Sequence, residues 1–95
     1  MTGRDEAFDR DARWRDRLAG LRARVEAIRI AAERGDHEKA HSLEDRLRYD
    51  VLHAIAVGDL DLGDETADGL ARDRAAEIAA IAASTNTIVF DRWCS

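Results

Sequence analysis

The larger apolar residues in the first third of the chain are spaced so that they share one face of a helix. Alternating steps of four and three residues separate Trp14, Leu18, Leu21, Val25, Ile28 and Ala32. This spacing is typical of the seam of a coiled coil. It predicts one long helix from about residue 5 to residue 34. Residues 1–13 are highly charged, and we expect this end of the helix to protrude from the core.

Glycine and aspartate mark the end of this helix and the start of the next. Gly35 suits the left-handed position just after a helix, and Asp36 is a strong N-cap for the helix that follows. The second helix is predicted from His37 to about Val57, with Gly58 as its stop. Because so short a joint leaves almost no loop, we expect the two helices to form a long antiparallel hairpin.

The remainder of the chain predicts a loop, a shorter third helix and a tail. Residues 59–64 have the composition of a loop, and apolar residues at helical spacing predict a helix over about residues 65–84. The segment that follows, residues 85–95, contains β-branched and aromatic residues, but the chain has no second strand pattern to pair with it. We therefore expect this C-terminal tail to dock Phe90 and Trp93 onto the helices.

Composition agrees with an all-α fold that has a thin core. The chain has 95 residues, of which 18 are alanine and none is proline. Leu, Ile, Val and Phe together make up about a fifth of the residues, close to the level below which chains tend to be disordered. A chain of this length forms one domain, which excludes a large α/β enzyme. We predict a single all-α domain over residues 1–95.

Charge and cysteine content indicate the setting of the protein. The net charge is −5, and residues 35–71 carry ten acids against three bases. The longest uncharged run, residues 78–90, is too short to cross a bilayer. The single cysteine, Cys94, has no partner for an internal disulfide, as is usual in a reducing compartment. We therefore expect a cytoplasmic protein that does not contact a membrane.

Two histidines at the start of the second helix raise the question of a metal site. Residues 37–41 match the H-E-x-x-H pattern of zinc peptidases, but position 47, where a third histidine would fall, is Leu47. A simpler site would use His37, His41 and Glu44, which lie on one flank of the helix. We predict no metal or other cofactor, and keep this trio as the alternative.

Arg74 is the exceptional residue of the third helix, because it falls within the apolar stripe. A buried guanidinium is costly unless it is paired with a carboxylate. We predict a buried ion pair between Arg74 and Glu44, with Asp45 as the alternative partner.

The chain lacks the residue constellations of catalysis, so we expect a protein that is not an enzyme. The leading function is protein interaction or regulation through helix faces. The expected assembly is a homodimer, since the second helix is too short to cover the first. The alternative is a monomer in which the third helix and the aromatic tail cover the apolar faces within one chain. The predicted interaction residues are Trp14, Leu18, Leu21, Val25, Phe90 and Trp93.

Two alternatives to this function stay open. The first is a metal-binding protein that uses the face of His37, His41 and Glu44. The second is an acidic mimic of nucleic acid that inhibits a DNA- or RNA-binding protein, because residues 35–71 carry a net charge of −7. Direct binding of nucleic acid is not expected, since acids accompany the arginines of the first helix.

Several stretches of the chain carry a family resemblance. They are Gly35-Asp36, residues 40–45 (Ala-His-Ser-Leu-Glu-Asp), residues 51–56, Gly58 and the ending at residues 88–94, which closes on Arg-Trp-Cys. In these stretches the chain resembles a family of small uncharacterised helical proteins of high-GC actinobacteria and their phages. The resemblance covers about residues 25–95. It implies a source and no activity.

Overall fold

A computed structural model describes residues 2–63 and 69–92, with side chains from residue 8 onward. These residues form three α-helices and a final 3-10 turn, namely α1 (Thr2–Glu33), α2 (His37–Val57), α3 (Leu70–Ala83) and the turn Ser84–Thr87. The described residues contain no strand, and the predicted all-α fold class is confirmed. None of the described helices is long and apolar enough to cross a membrane.

The predicted stop and start signals define both ends of α2. Gly35 and Gly58 have φ angles of 78° and 73°, in the left-handed region that glycine adopts without steric cost. The carboxylate of Asp36 accepts a hydrogen bond from the backbone N–H of Lys39 at 3.2 Å, as an N-cap does. The bounds of α2 therefore coincide with the prediction.

The third helix is shorter than the sequence pattern predicts. It begins at Leu70, whereas the prediction began near residue 65; residues 64–68 lie outside the described part of the chain. At the other end α3 stops at Ala83 and the chain continues as the 3-10 turn. The hydroxyl of Thr85 donates to the carbonyl of Ala82 at 3.0 Å, a local bond of the kind that competes with helix continuation.

The core lies where the apolar faces of the three helices meet. Ile28 of α1, Leu47 of α2 and Ile78 of α3 are almost completely buried. The other buried apolar residues are Trp14, Leu18, Leu21, Ala31, Ala40, Val51, Ala54, Leu60, Ala82 and Phe90. Four of these thirteen are alanines, which bury little apolar area each, so the core is as thin as the composition indicates.

The first helix sets the length of the molecule. With 32 residues, α1 extends for about 48 Å at 1.5 Å per residue, against about 32 Å for α2. The longest dimension of the molecule is 53 Å. Phe8, near the start of α1, is 68% exposed, so the other helices leave this position uncovered.

Candidate functional site

One flank of α2 holds the C-terminal segment of the chain. The backbone N–H of Asp91 donates to Nδ1 of His37 at 2.9 Å. Nδ1 of His41 lies 3.1 Å from the carbonyl oxygen of Arg92. The guanidinium of Arg92 in turn binds the carboxylate of Glu44. We call these five residues, His37, His41, Glu44, Asp91 and Arg92, the tail clasp.

The carboxylate of Glu44 is the centre of the tail clasp. Glu44 is only 2% exposed. Nε and Nη2 of Arg92 donate to its two oxygens at 3.0 and 2.9 Å, and Nη2 of Arg48 lies 3.3 Å away. Burial raises the pKa of Glu44, but the hydrogen bonds from Arg92 and Thr85 and the charges of both arginines outweigh it, so the pKa lies below its ordinary value. The carboxylate is therefore held in its charged form.

The two histidines of the tail clasp are bound in different ways. Nδ1 of His37 accepts a hydrogen bond from a backbone N–H, so this nitrogen carries no proton. His41 faces acceptors on both sides, the carbonyl of Arg92 and, at 2.9 Å from Nε2, the carboxylate of Asp45.

The structure brings the three alternative metal ligands to one flank of α2, where each binds another part of the chain. His37, His41 and Glu44 all contact residues 91–92. Among the described residues no group of three or more histidine, cysteine or acidic side chains is arranged to hold a metal ion. In the described part of the chain, these three side chains contact residues 91–92.

The predicted ion pair between Arg74 and Glu44 is wrong. Arg74, which is 6% exposed, pairs with Asp11 of α1 at 3.0 Å. Its Nη1 donates to the carbonyls of Leu60 and Asp61 at 2.9 and 2.8 Å. Arg74 thus lies beside the loop after α2, whereas Glu44 lies near the start of α2 with Arg92. The two residues share the apolar side of the bundle but not the same level along its axis.

The sequence contains a feature that indicates the correct partner of Arg74. Asp11 occupies the position that continues the apolar seam of α1 one step before Trp14. A carboxylate at a seam position lies at the border of the core, where a cation of another helix can pair with it; the Asp11 side chain is half-exposed. The guanidinium of Arg74 also lies over the ring of Trp14, 4.7 Å from its centroid, and Trp14 Nε1 donates to Glu77 at 3.0 Å.

Most of the predicted interaction residues are buried within the fold of the chain itself. Trp14, Leu18 and Leu21 are buried in the core, which corrects the expectation that they present a surface to a partner. Val25 is half-buried, and Phe90 is buried with the guanidinium of Arg92 over its ring at 3.9 Å. Trp93 lies outside the described residues. The apolar face of α1 is covered because α2 and α3 pack on it.

One exposed apolar surface lies between α2 and α3. A groove of about 290 Å³ is lined by the apolar residues Val51, Leu52, Ala79, Ala82 and Ala83, with Arg48 and Asn86 at its border. Leu52 is 67% exposed. Sequence reasoning missed this surface because alanine gives no signal as to whether it faces the core or solvent.

The acidic segment, residues 35–71, is partly neutralised within the fold. Among the described residues of this segment, four carboxylates lie in ion pairs with arginines, those of Glu44, Asp50, Asp59 and Asp61. Three of them face Arg17 or Arg24 of α1. These pairs reduce the negative surface that a mimic of nucleic acid would present.

Comparisons with known protein families, with curated proteins and with solved structures yielded no match for this chain.

Proposed function

We propose that this chain is a small non-catalytic protein that acts through its helix faces, and that it pairs with a second copy of itself along the groove between α2 and α3. The observation that carries the proposal is the exposed Leu52 beside a groove lined by Ala79 and Ala83. An exposed leucine next to small residues supplies both a projection and a depression on one face. A two-fold dimer needs a face that is complementary to itself in this way.

The polar groups at the border of the groove already have partners within the chain, which favours an apolar contact. Arg48 borders the groove, and its guanidinium is bound by Glu44 at 3.3 Å and by the side chain of Asn86 at 2.6 Å. A partner that covers the groove would therefore not bury an unpaired cation. An apolar centre with satisfied polar groups at its border is the usual composition of a protein interface.

We also propose the two finer features of the predicted architecture, the antiparallel hairpin and the docked tail. Arg24 pairs with Asp50 and Arg17 pairs with Asp59, an order that supports an antiparallel hairpin of α1 and α2. Burial of Phe90 supports a docked tail. We also propose a cytoplasmic location, which the single cysteine supports. Membership of the actinobacterial and phage family remains a proposal that rests on the resembling stretches.

The mass of the protein in solution tests the proposed dimer. Light scattering coupled to size exclusion, over micromolar to millimolar protein, should give twice the chain mass of 10.6 kDa. Leu52→Asp places a charge in the contact and should yield the single-chain mass. Val89→Asp is the matched control, because Val89 is 91% exposed and does not line the groove. Circular dichroism checks that both variants fold.

Two results would refute the proposal. A wild-type mass of one chain at every concentration would exclude the dimer. A dimer that survives both Leu52→Asp and Ala79→Glu would show that the copies meet on another face.

A further inference from the structure

A second cleft, between α1 and α2, combines an apolar floor with opposite charges at its border. Its volume is about 310 Å³. The apolar residues that line it come from all three helices and are buried, namely Leu21, Val51, Ala54 and Ile78. Two ion pairs border it, Arg24 with Asp50 at 2.9 Å and Arg17 with Asp59 at 3.2 Å. The cleft therefore offers apolar contact, two pairs of opposite charges and the ring of His53 within one small space.

The balance of charge selects the class of ligand. A lone carboxylate that displaced Asp50 from Arg24 would leave Asp50 unpaired beside a second negative charge. A lone ammonium would displace Arg24 from Asp50 with the same penalty. A zwitterion meets both groups, because its carboxylate replaces Asp50 at Arg24 and its ammonium replaces Arg24 at Asp50.

The two ion pairs are not equally available to a ligand. Arg17 is held by three acceptors, the carboxylates of Asp59 and Asp61 and the backbone carbonyl of Asp59. Among the described residues, Arg24 is paired with Asp50 alone. The side chains of Arg24 and Asp50 are 36% and 47% exposed, so both can be reached from solvent. The pair at Arg24 is therefore the one that a ligand can open.

The apolar floor and the volume of the cleft further restrict the chemistry and the size of the ligand. An aliphatic group on this floor removes its own apolar surface from water, whereas a polar group there would have no hydrogen-bond partner. The cleft lies near the lower limit of about 300 Å³ that is usual for small-molecule sites, so it suits a compact ligand. In an α-amino acid the carboxylate, the ammonium and the side chain all branch from one carbon atom.

We propose that this cleft binds a free apolar α-amino acid, with its carboxylate on Arg24, its ammonium on Asp50 and its side chain on the floor of Leu21, Val51 and Ile78. This site lies between α1 and α2 and is separate from the proposed contact on Leu52, although Val51 borders both. This role rests on the proposed function: binding of the amino acid would make the interaction protein responsive to a small molecule.

Thermal unfolding with L-leucine as the probe tests the proposal, because a ligand that binds the folded state raises the Tm in proportion to the logarithm of its concentration. L-leucine at millimolar concentration should raise the Tm by several degrees. Three relatives of the probe each lack one feature and should have little effect: 4-methylpentanoate lacks the ammonium, 3-methylbutylamine lacks the carboxylate, and glycine lacks the side chain.

Matched variants locate the site. Arg24→Met should abolish the Tm rise, whereas Arg22→Met, the same change two residues away and outside the cleft, should retain it. Asp50→Asn is a second site variant in case Arg24→Met does not fold. The Leu52→Asp variant should still respond to L-leucine, which separates this proposal from that of the dimer.

Each contrary result is decisive. An absence of any Tm rise with L-leucine would overturn the proposal. An equal rise with 4-methylpentanoate would show a site for carboxylates rather than for amino acids. A rise that persists in both Arg24→Met and Asp50→Asn would show that the ligand binds elsewhere.

Discussion

Replacing the buried carboxylate of the tail clasp tests whether the C-terminal segment stabilises the fold. Glu44→Gln keeps the size of the side chain and removes its charge. The variant loses the paired bonds to Arg92 and brings an amide NH₂ group, itself a donor, beside two guanidinium groups. Glu44 is only 2% exposed, so water cannot solvate the substituted side chain itself.

The expected loss follows from the burial of each partner. Removing one partner of a buried ion pair costs about 3–5 kcal/mol. Here the side chains of Arg92 and Arg48 are 34% and 37% exposed, so water compensates part of their loss. The remaining amide oxygen of the variant can also still accept one bond. We therefore expect Glu44→Gln to lower the free energy of unfolding by about 2–3 kcal/mol.

Urea unfolding at neutral pH measures this loss, and an unchanged m-value would show that the native and unfolded ensembles are otherwise the same. Glu26→Gln is the matched control, because Glu26 forms an exposed ion pair with Arg29 in α1. Exposed pairs contribute little, so this control should unfold like the wild type. A Glu44→Gln variant as stable as the Glu26→Gln variant would refute the reasoning.

The pH dependence gives an independent check on the same carboxylate. The pKa of Glu44 is lower in the folded state than its ordinary value, so its contribution is complete above the unfolded pKa and is lost as the pH falls through the folded one. The difference in stability between wild type and Glu44→Gln should be constant above about pH 5 and shrink below about pH 4. A difference that stays constant into strong acid would show that charge is not its source.

Three further predictions concern single positions. Gly20→Ala should stabilise the protein by about 0.5–1 kcal/mol in thermal unfolding, because Gly20 lies within α1 with no atom near an added Cβ. Gly58→Ala should destabilise it by about 1–2 kcal/mol in the same assay, because a side chain is strained at φ 73° even in open space; equal effects of the two changes would contradict this reasoning. Long-range ¹H–¹⁵N spectra of the neutral His37 ring should find its proton on Nε2, and a proton on Nδ1 would contradict the bond from Asp91.

The helices and their caps could be predicted from the sequence because the interactions that define them are local. A helix end depends on residues within one turn of it, as at Gly35, Asp36 and Gly58, where the backbone adopts the predicted geometry. The apolar stripes of α1 and α2 likewise depend on spacing alone, which is a property of the chain. These features needed no knowledge of how the helices pack.

The positions of the charged residues relative to one another were decided by the tertiary structure. Arg74 and Glu44 are both buried as predicted, but which carboxylate meets which guanidinium depends on the level of each residue along the bundle axis. That level is set by loop length and helix packing, which spacing within one helix does not encode. For the same reason His37, His41 and Glu44 could be placed on one flank from the sequence, whereas the segment they bind, which begins more than 40 residues after Glu44, could not.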